Sequence, residues 1–224
     1  MKNLTINPNI IDFLNDLKEN NNRDWFKANQ NRYEQAKDNF ISFTEGLIAA
    51  IAEFDPSIGT LEAKECHFRI YRDVRFSKNK DPYKTNMGAY IARGGKKSPF
   101  AGYYFHIEPN ASFVSGGIYM AQPNILRKIR SDIETYSDSF REIVENKKFK
   151  STFTNLGEES LKKVPQGFSA DSEVAQYLKL KHITPHHPLE DKEVINDNAF
   201  EMIVGIYREM LPLITFLNTA IEQE

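Results

Sequence analysis

Apolar residues recur at helical spacing through the early part of the chain. Pro8 stands at a position typical of a helix start, and the three asparagines at 20–22 end the pattern that follows it. A second series of apolar and aromatic positions steps by three and four over residues 24–54. The pattern therefore predicts a short helix and a long helix that form a hairpin over residues 8–55.

The central part of the chain alternates between apolar and polar residues, which is typical of half-buried strands. This alternation predicts a first strand over 65–71 and three more over 87–93, 103–108 and 112–120. The connections between the last three are short and rich in turn-forming residues, which favours consecutive antiparallel hairpins. The segment 179–189 contains prolines, which edge strands tolerate, so we expect it at the edge of the sheet.

Helical periodicity returns in the last hundred residues. Pro123 opens one predicted helix, a second is expected over 138–147, and a short one over 171–180. Residues 151–170 mix glycine, serine, proline and lysine, and we expect them to form an irregular connection. The last helix is predicted over 198–222.

These elements indicate an α+β fold. A central antiparallel β-sheet meander of about four to five strands is flanked by an N-terminal helical hairpin and by C-terminal helices. We expect a single domain over residues 1–224, made of the hairpin at 8–55, the sheet at 65–120 and a helical and mixed region at 123–222. The composition, 40% hydrophobic and 27% charged residues, is that of a globular protein with enough apolar residues for a core.

Simple features of the chain exclude several classes of protein. No run of residues approaches the length of an apolar membrane span, and the first residues lack the apolar core of a signal peptide. We therefore expect a soluble, cytoplasmic protein without a membrane partner. The single Cys66 excludes an internal disulfide and a metal site built from several thiolates.

Positive charge is concentrated in one segment, although the whole chain carries a net charge of −2. Residues 64–97 contain ten Lys and Arg residues against three acidic residues. The segment therefore carries a charge of +7 and the rest of the chain −9. A general nucleic-acid binder is usually basic throughout, because phosphate contacts dominate its affinity, so this asymmetry favours a localised anionic ligand.

The densest part of this segment, FRIYRDVRFSKNKDPYKTNMG, predicts an anion-binding site. If the strand over 65–71 continues, Arg69, Asp73 and Arg75 share one face, and one aspartate cannot balance the three arginines of the segment. Arginine forks onto phosphate or carboxylate, lysine supplies a point charge, and tyrosine supplies a hydroxyl or a stacking ring. The predicted hairpins place Tyr90, Tyr104, His106 and Glu108 nearby. The candidate ligand-binding residues are Arg69, Arg72, Asp73, Arg75, Lys80, Tyr83, Lys84, Tyr104 and His106.

Other interpretations of the same residues stay open. Lys and Arg protect sheet edges, and the arginines can pair with some of the 31 acidic residues of the chain. A histidine cluster around TPHHPL can in principle bind a transition metal, but no acidic residues accompany it at ligand spacing, so we predict no metal site. Its members are His182, His186 and His187, with His67 or His106. The common nucleotide, dinucleotide, zinc-protease and hydrolase motifs are missing from the sequence.

A specific motif runs through the basic segment. Its residues follow the pattern R-x-x-R-D-x-R-F-x-x-(D or N)-K-x-x-Y: Arg69, Arg72, Asp73, Arg75, Phe76, Asn79, Lys80 and Tyr83. With NNRDWFKANQNRY, the strand at 102–105 and SGGIYMAQP at 115–123, it resembles the bacterial family called domain of unknown function 2461. The resemblance covers most of the chain. It implies that the motif acts as a unit, and it supplies no activity and no substrate.

Three functions agree with these residues. The first is a binding module or sensor that holds a small phosphate- or carboxylate-bearing ligand without chemistry. The second is an enzyme acting on a phosphate-containing or nucleotide substrate, in which the arginines stabilise negative charge and Asp73 or His106 is the general base. The third is a nucleic-acid-associated protein that stacks bases on its tyrosines. The sequence identifies no cofactor.

Overall fold

Helices cover one face of a four-stranded antiparallel sheet in the computed structural model, which describes residues 4–223. The strands follow one another in space in the order β1, β2, β3, β4. Their bounds are β1 (Met87–Ile91), β2 (Gly102–Ile107), β3 (Ser112–Gly117) and β4 (His186–Leu189). The predicted α+β class and the meander are therefore confirmed, and the proline-containing segment does form the edge strand β4 beside β3.

Among the described residues, the first three of the four helices that precede the sheet are α1 (Asn9–Glu19), α2 (Arg23–Ala28) and α3 (Gln30–Phe54). The prediction of one long second helix is wrong in one respect, because the chain divides it at Asn29. The Asn29 side chain bonds the carbonyl of Trp25 at 2.9 Å, and its backbone leaves the helical conformation. At the start of α2, Asn22 accepts the Trp25 N–H at 2.9 Å, the usual role of an N-cap.

The predicted strand over 65–71 is wrong. Residues Ala63–Cys66 form the short helix α4, because Glu62 and Glu65 close a reciprocal capping box around its first turn. The residues that follow run extended but meet their neighbours only at isolated bridges, between His67 and Ala89 and between Tyr71 and Tyr83. The alternating residues there belong to an irregular segment, in which the apolar Phe68 is 43% exposed.

Six helices lie in the C-terminal half, and a single 3-10 turn (Pro56–Ile58) follows α3. Their bounds are α5 (Pro123–Thr135), α6 (Ser137–Val144), α7 (Lys147–Thr152), α8 (Ala175–Leu178), α9 (Asp191–Val194) and α10 (Ala199–Glu222). The predicted helices and the irregular connection between α7 and α8 are present. Among residues 4–223, no helix is long and apolar enough to cross a membrane.

The two faces of the sheet have different environments, because alternate residues of each strand point to opposite sides. On one face, Phe105 packs against Phe40 and Phe43 of α3, with ring centroids 5.8 Å and 5.3 Å away. Tyr103 packs on Tyr207 of α10 from the same face. Tyr103, Phe105 and Val114 on the helix-covered face are fully buried, so this side of the sheet forms the core.

The opposite face of the sheet carries polar and aromatic side chains. One row crosses all four strands, because Tyr90 pairs with Tyr104, Tyr104 with Ser115, and Ser115 with His186. With strands spaced about 4.8 Å apart, such a row spans about 14 Å. A cleft lies over this row.

The end of β3 approaches other backbone closely at two glycines. A side chain at Gly116 would overlap the sulfur of Met210 in α10, and one at Gly117 would overlap the carbonyl of Ile183. Gly117 also has a φ of 82°, in the left-handed region that favours glycine. The pair therefore sets how closely the sheet packs on α10 and on the segment before β4.

We expect Gly117→Ala to lower the free energy of unfolding by more than about 1 kcal/mol, because it combines steric overlap with a positive φ. Gly205→Ala is the matched control: Gly205 lies inside α10 with no atom within 4 Å of the added methyl group. That change should raise the free energy of unfolding by about 0.5–1 kcal/mol. Urea denaturation measures both, and equal effects would contradict this account of the glycine pair.

Candidate functional site

A cleft with a volume of about 1080 Å³ lies over the polar face of the sheet. Its floor consists of side chains from that face: Tyr90, Tyr104, His106, Phe113, Ser115 and His186. Phe68 and Lys84, from the irregular segment before β1, form one wall together with the connection between β1 and β2. The residues after β3 and the segments at 155–159 and 182–184 complete it.

Three side chains of β2 and the residues after it form a hydrogen-bonded chain along the floor. The Tyr104 hydroxyl lies 2.9 Å from Nδ1 of His106, and Nε2 of His106 lies 3.2 Å from Oε2 of Glu108. Thr85 donates to the other oxygen of Glu108 at 3.2 Å. Residues two apart on a strand share a face, so the local sequence YFHIE is what aligns the three groups.

The surroundings of His106 keep its imidazole neutral near neutral pH. Burial lowers the pKa of His106; the Glu108 carboxylate opposes this shift, and the charges of His186 and Lys84 add to it. A neutral imidazole has one donor and one acceptor nitrogen. Glu108 can only accept from Nε2–H, which leaves Nδ1 to accept the proton of the Tyr104 hydroxyl.

The Tyr104 phenol keeps its proton in this environment. Burial, helped by the nearby Glu108 charge, raises the pKa of Tyr104 to about 12. Its hydroxyl lies against the backbone of Gly88 on the neighbouring strand, and a methyl group there would approach the oxygen to 2.5 Å. The hydroxyl therefore depends on a glycine at position 88 for its place.

Tyr90, the neighbour of Tyr104 in the row, is held differently. Its hydroxyl lies 2.9 Å from the Phe100 carbonyl and 2.8 Å from the Gly117 carbonyl. Both partners accept only, so this phenol is held as a donor that ties the β1–β2 connection to the end of β3. Tyr90 is a structural part of the cleft floor.

Lys84 brings a positive charge to the wall of the cleft. Its backbone N–H bonds to Ile70 at 2.8 Å, and its ammonium lies 5.5 Å from the ring centroid of Phe68. Burial, helped by the charge of Arg69, lowers the pKa of Lys84. Among residues 4–223, no carboxylate forms an ion pair with Lys84. A half-buried cation without a protein counter-ion favours an anionic partner.

The arginines of the motif do not share one binding point. Arg75 is exposed and binds both oxygens of Asp73, at 2.9 Å and 2.6 Å. This hydrogen bond lowers the pKa of Asp73, and the charge of Arg69 adds to the effect. Arg69, Asp73 and Arg75 are not among the described residues that line the cleft. The pair Asp73–Arg75 therefore lies apart from His106.

Arg72 and Lys80 hold their own loop. Arg72 donates to the Asp81 carbonyl at 3.3 Å and to Ser77 at 3.4 Å, and the Lys80 ammonium donates to the Val74 carbonyl at 3.0 Å. These contacts close the turn between residues 72 and 83. The expected convergence of the arginines on one anion is therefore replaced by separate local contacts.

Tyr83 belongs to the core. It is 6% exposed, and its ring stacks on Phe26 of α2 at 3.9 Å. The Asn21 side chain pairs with its backbone, accepting the N–H at 3.1 Å and donating to the carbonyl at 3.0 Å. The tyrosine predicted to contact a ligand anchors the segment that ends in Lys84.

Of the nine predicted ligand-binding residues, the structure brings Lys84, Tyr104 and His106 together in the cleft. Phe113 and His186 also line the cleft, and neither was among the predicted ligand-binding residues. Alternation along β3 and β4 was the signal that could have found them, because it places both on the face of His106.

The histidines do not gather around a common point. His187 bonds the Thr152 carbonyl at 2.5 Å, His182 accepts the Met120 N–H at 3.0 Å, and His67 packs on Phe40. Within residues 4–223, no three His, Cys, Asp or Glu side chains are placed to hold a metal ion.

The chain matches the model of a known protein family over most of its length. The model of the family described as "Conserved hypothetical protein (DUF2461)" matches residues 9–216, nearly the whole chain. No curated protein and no solved structure matches the chain significantly. The family resemblance seen in the sequence is confirmed by this match.

We expect the pKa of His106 to lie below the ordinary value of about 6.5 and to respond to its two charged neighbours in opposite directions. Lys84→Met should raise it, because a nearby cation disfavours the imidazolium, and Glu108→Gln should lower it. Nitrogen-15 NMR across a pH titration measures both. Lys78→Met, on the exposed loop of the same basic segment, is the control, and a pKa insensitive to Lys84→Met would contradict the geometry.

Proposed function

We propose that this chain, which belongs to the DUF2461 family, binds a small ligand that carries a phosphate or carboxylate group beside a flat apolar body. The family name assigns no activity, so the cleft carries the proposal. The supporting observation is the Lys84 ammonium, which has no protein counter-ion among the described residues and borders an aromatic floor. We place this function in the cytoplasm, because the free thiol of Cys66 agrees with a reducing compartment.

The charged residues of the cleft are distributed asymmetrically between its two sides. Lys84, Lys96 and Lys97 lie on its β1 side. Glu158 and Glu159 lie on the β4 side, where Glu159 already pairs with Lys181 at 3.0 Å. An anionic group is therefore attracted to the β1 side and repelled from the β4 side. A bound anion should lie beside Lys84, and the rest of the ligand should extend over the floor.

The floor suits a flat, apolar ligand body. Phe113 lies between two imidazoles, with centroids 4.5 Å from His106 and 4.7 Å from His186, and 5.6 Å from Tyr104. Such a surface attracts planar groups, which bury their faces against it. The volume of about 1080 Å³ reaches the upper end of the usual range for small-molecule sites, so a ligand of nucleotide size fits.

We expect phenyl phosphate and benzoate to raise the melting temperature, because each combines an anion with a ring and binds the native state only. Inorganic phosphate and phenol, which carry one feature each, should raise it less. A thermal-shift assay with each of the four compounds at millimolar concentration measures these changes in melting temperature. The absence of any shift with phenyl phosphate and benzoate would overturn the proposal.

The matched variants for this test lie in the same basic segment. Lys84→Met should weaken phenyl phosphate binding about tenfold or more, since it removes a charge-assisted contact. Lys78→Met removes an exposed lysine outside the cleft lining and should leave the affinity unchanged. Equal losses in the two variants would show that general basic charge, rather than the cleft, attracts the anion.

A second candidate function rests on the loop that holds the motif. Phe76 is 96% exposed beside the Arg75 guanidinium, and Tyr71 is 51% exposed. Exposed rings among basic side chains are the features that stack single-stranded bases.

This candidate predicts that a labelled oligothymidine binds with an affinity that falls steeply as salt rises, and that Phe76→Ala weakens it. Fluorescence anisotropy across a salt series is the measurement. A flat salt response, or full affinity after Phe76→Ala, would remove this candidate.

A further inference from the structure

We infer that Tyr104 is a nucleophile, that His106 is its general base and that Glu108 is the positioning residue that orients the imidazole. Tyr104 accepts the phosphoryl group of a phosphate ester that is bound in the cleft. The choice of a phosphate ester rests on the proposed function, since it needs the anion beside Lys84. The activation of Tyr104 stands on the hydrogen-bonded chain alone.

The arrangement meets the geometric conditions for an activated hydroxyl. The nucleophile and the base lie 2.9 Å apart, and a third group binds the far nitrogen of the base at 3.2 Å. This order of nucleophile, base and orienting carboxylate is the general form of a catalytic triad. Thr85 fixes the carboxylate in turn, so every member of the chain has a defined partner.

Tyr90 and Tyr104 both line the cleft, and their hydroxyls differ in what they bond. Tyr90 bonds two backbone carbonyls, which cannot take its proton. The hydroxyl of Tyr104 instead bonds His106, a base that can remove its proton. The comparison of two tyrosines in one row separates a structural phenol from a reactive one.

The first step conserves atoms and charge. The Tyr104 oxygen forms a bond to phosphorus, the bond from phosphorus to the ester oxygen breaks, and the alcohol leaves with the electron pair. The Tyr104 proton passes to Nδ1 of His106, the imidazolium is stabilised by Glu108, and the proton then passes to the leaving oxygen. Lys84 faces the phosphoryl oxygens, where negative charge is highest.

The second step regenerates the protein. Water attacks phosphorus and gives its proton to His106 as the bond from phosphorus to the Tyr104 oxygen breaks. The phenolate recovers a proton from His106, and inorganic phosphate leaves. Both steps require His106, because in each it removes the proton of the nucleophile and returns it to the leaving oxygen.

Reaction with phenylmethanesulfonyl fluoride, a neutral electrophile, tests the nucleophile without the anion. The Tyr104 oxygen replaces fluoride, and the proton passes to His106. Mass spectrometry should find the sulfonyl group on Tyr104 sooner than on Tyr119. Tyr119 also lines the cleft and is 66% exposed, but it lies against His182 and not in the hydrogen-bonded chain of Tyr104, His106 and Glu108. Labelling of Tyr104 no faster than that of Tyr119 would overturn the inference.

Variants separate chemistry from folding. Tyr104→Phe should remove the label, and His106→Gln should slow labelling about a hundredfold, the usual contribution of a general base. Labelling of Tyr119 in the same samples should not change, and Lys78→Met should label at the normal rate. Circular dichroism identifies any variant that unfolds; His106→Asn then replaces His106→Gln. Unchanged labelling of Tyr104 in a folded His106 variant would contradict the role of the base.

The positioning role of Glu108 has its own readout. In Glu108→Gln, nitrogen-15 NMR should show the His106 proton shared between both nitrogens, and labelling of Tyr104 should slow about tenfold. An unchanged tautomer would show that Glu108 does not orient the ring.

p-Nitrophenyl phosphate tests the substrate class. Release of p-nitrophenolate, with a phosphoryl group on Tyr104 in quenched samples, supports the phosphate ester. If Tyr104 is labelled by the sulfonyl fluoride but p-nitrophenyl phosphate does not react, a phosphate ester is not the substrate, while the nucleophilic role of Tyr104 stands. If phenyl phosphate binds but Tyr104 is not labelled, the proposed binding function stands and the nucleophilic role of Tyr104 is wrong. The experiments therefore distinguish failure of the proposed function from failure of this inference.

Discussion

The two-sided alternation of β2 is the constraint on which the cleft depends. Its odd-numbered residues, Tyr103 and Phe105, are packed against helices and cannot turn outward without opening the core. The even-numbered residues Tyr104 and His106 are therefore fixed on the opposite face. Burial of one side of the strand thus orders the polar groups on the other, and the contacts of Glu108 and Thr85 complete their alignment.

The helices and strands with regular periodicity could be predicted from sequence, because each has one dominant apolar face. The strands β1, β2 and β3 and the helix α10 are examples, since the apolar positions in each recur with the period of the element. The edge strand β4 was also predictable, from prolines that exclude an interior position. These are the parts of the fold in which local pattern and tertiary packing agree.

The errors arose where side chains bonded the backbone locally. Glu62 and Glu65 close a helical turn that apolar alternation does not record, and Asn29 interrupts a periodic apolar face. In the candidate site, charge counting found Lys84 but treated Arg75 as free, although Asp73 two residues earlier binds it bidentately. Periodicity and net charge carry no information about such short-range partners.

Tyr83 and Lys84 are adjacent, and their side chains have opposite roles. Because Tyr83 is clamped on Phe26 and its backbone is paired with Asn21, the lysine next to it begins from an anchored position. If the cleft binds an anion as proposed, the cation that this anion meets has a main chain that is already ordered, and little conformational entropy would be lost on association. The stacking of Tyr83 on Phe26 would then be a remote determinant of affinity, since neither ring lines the cleft.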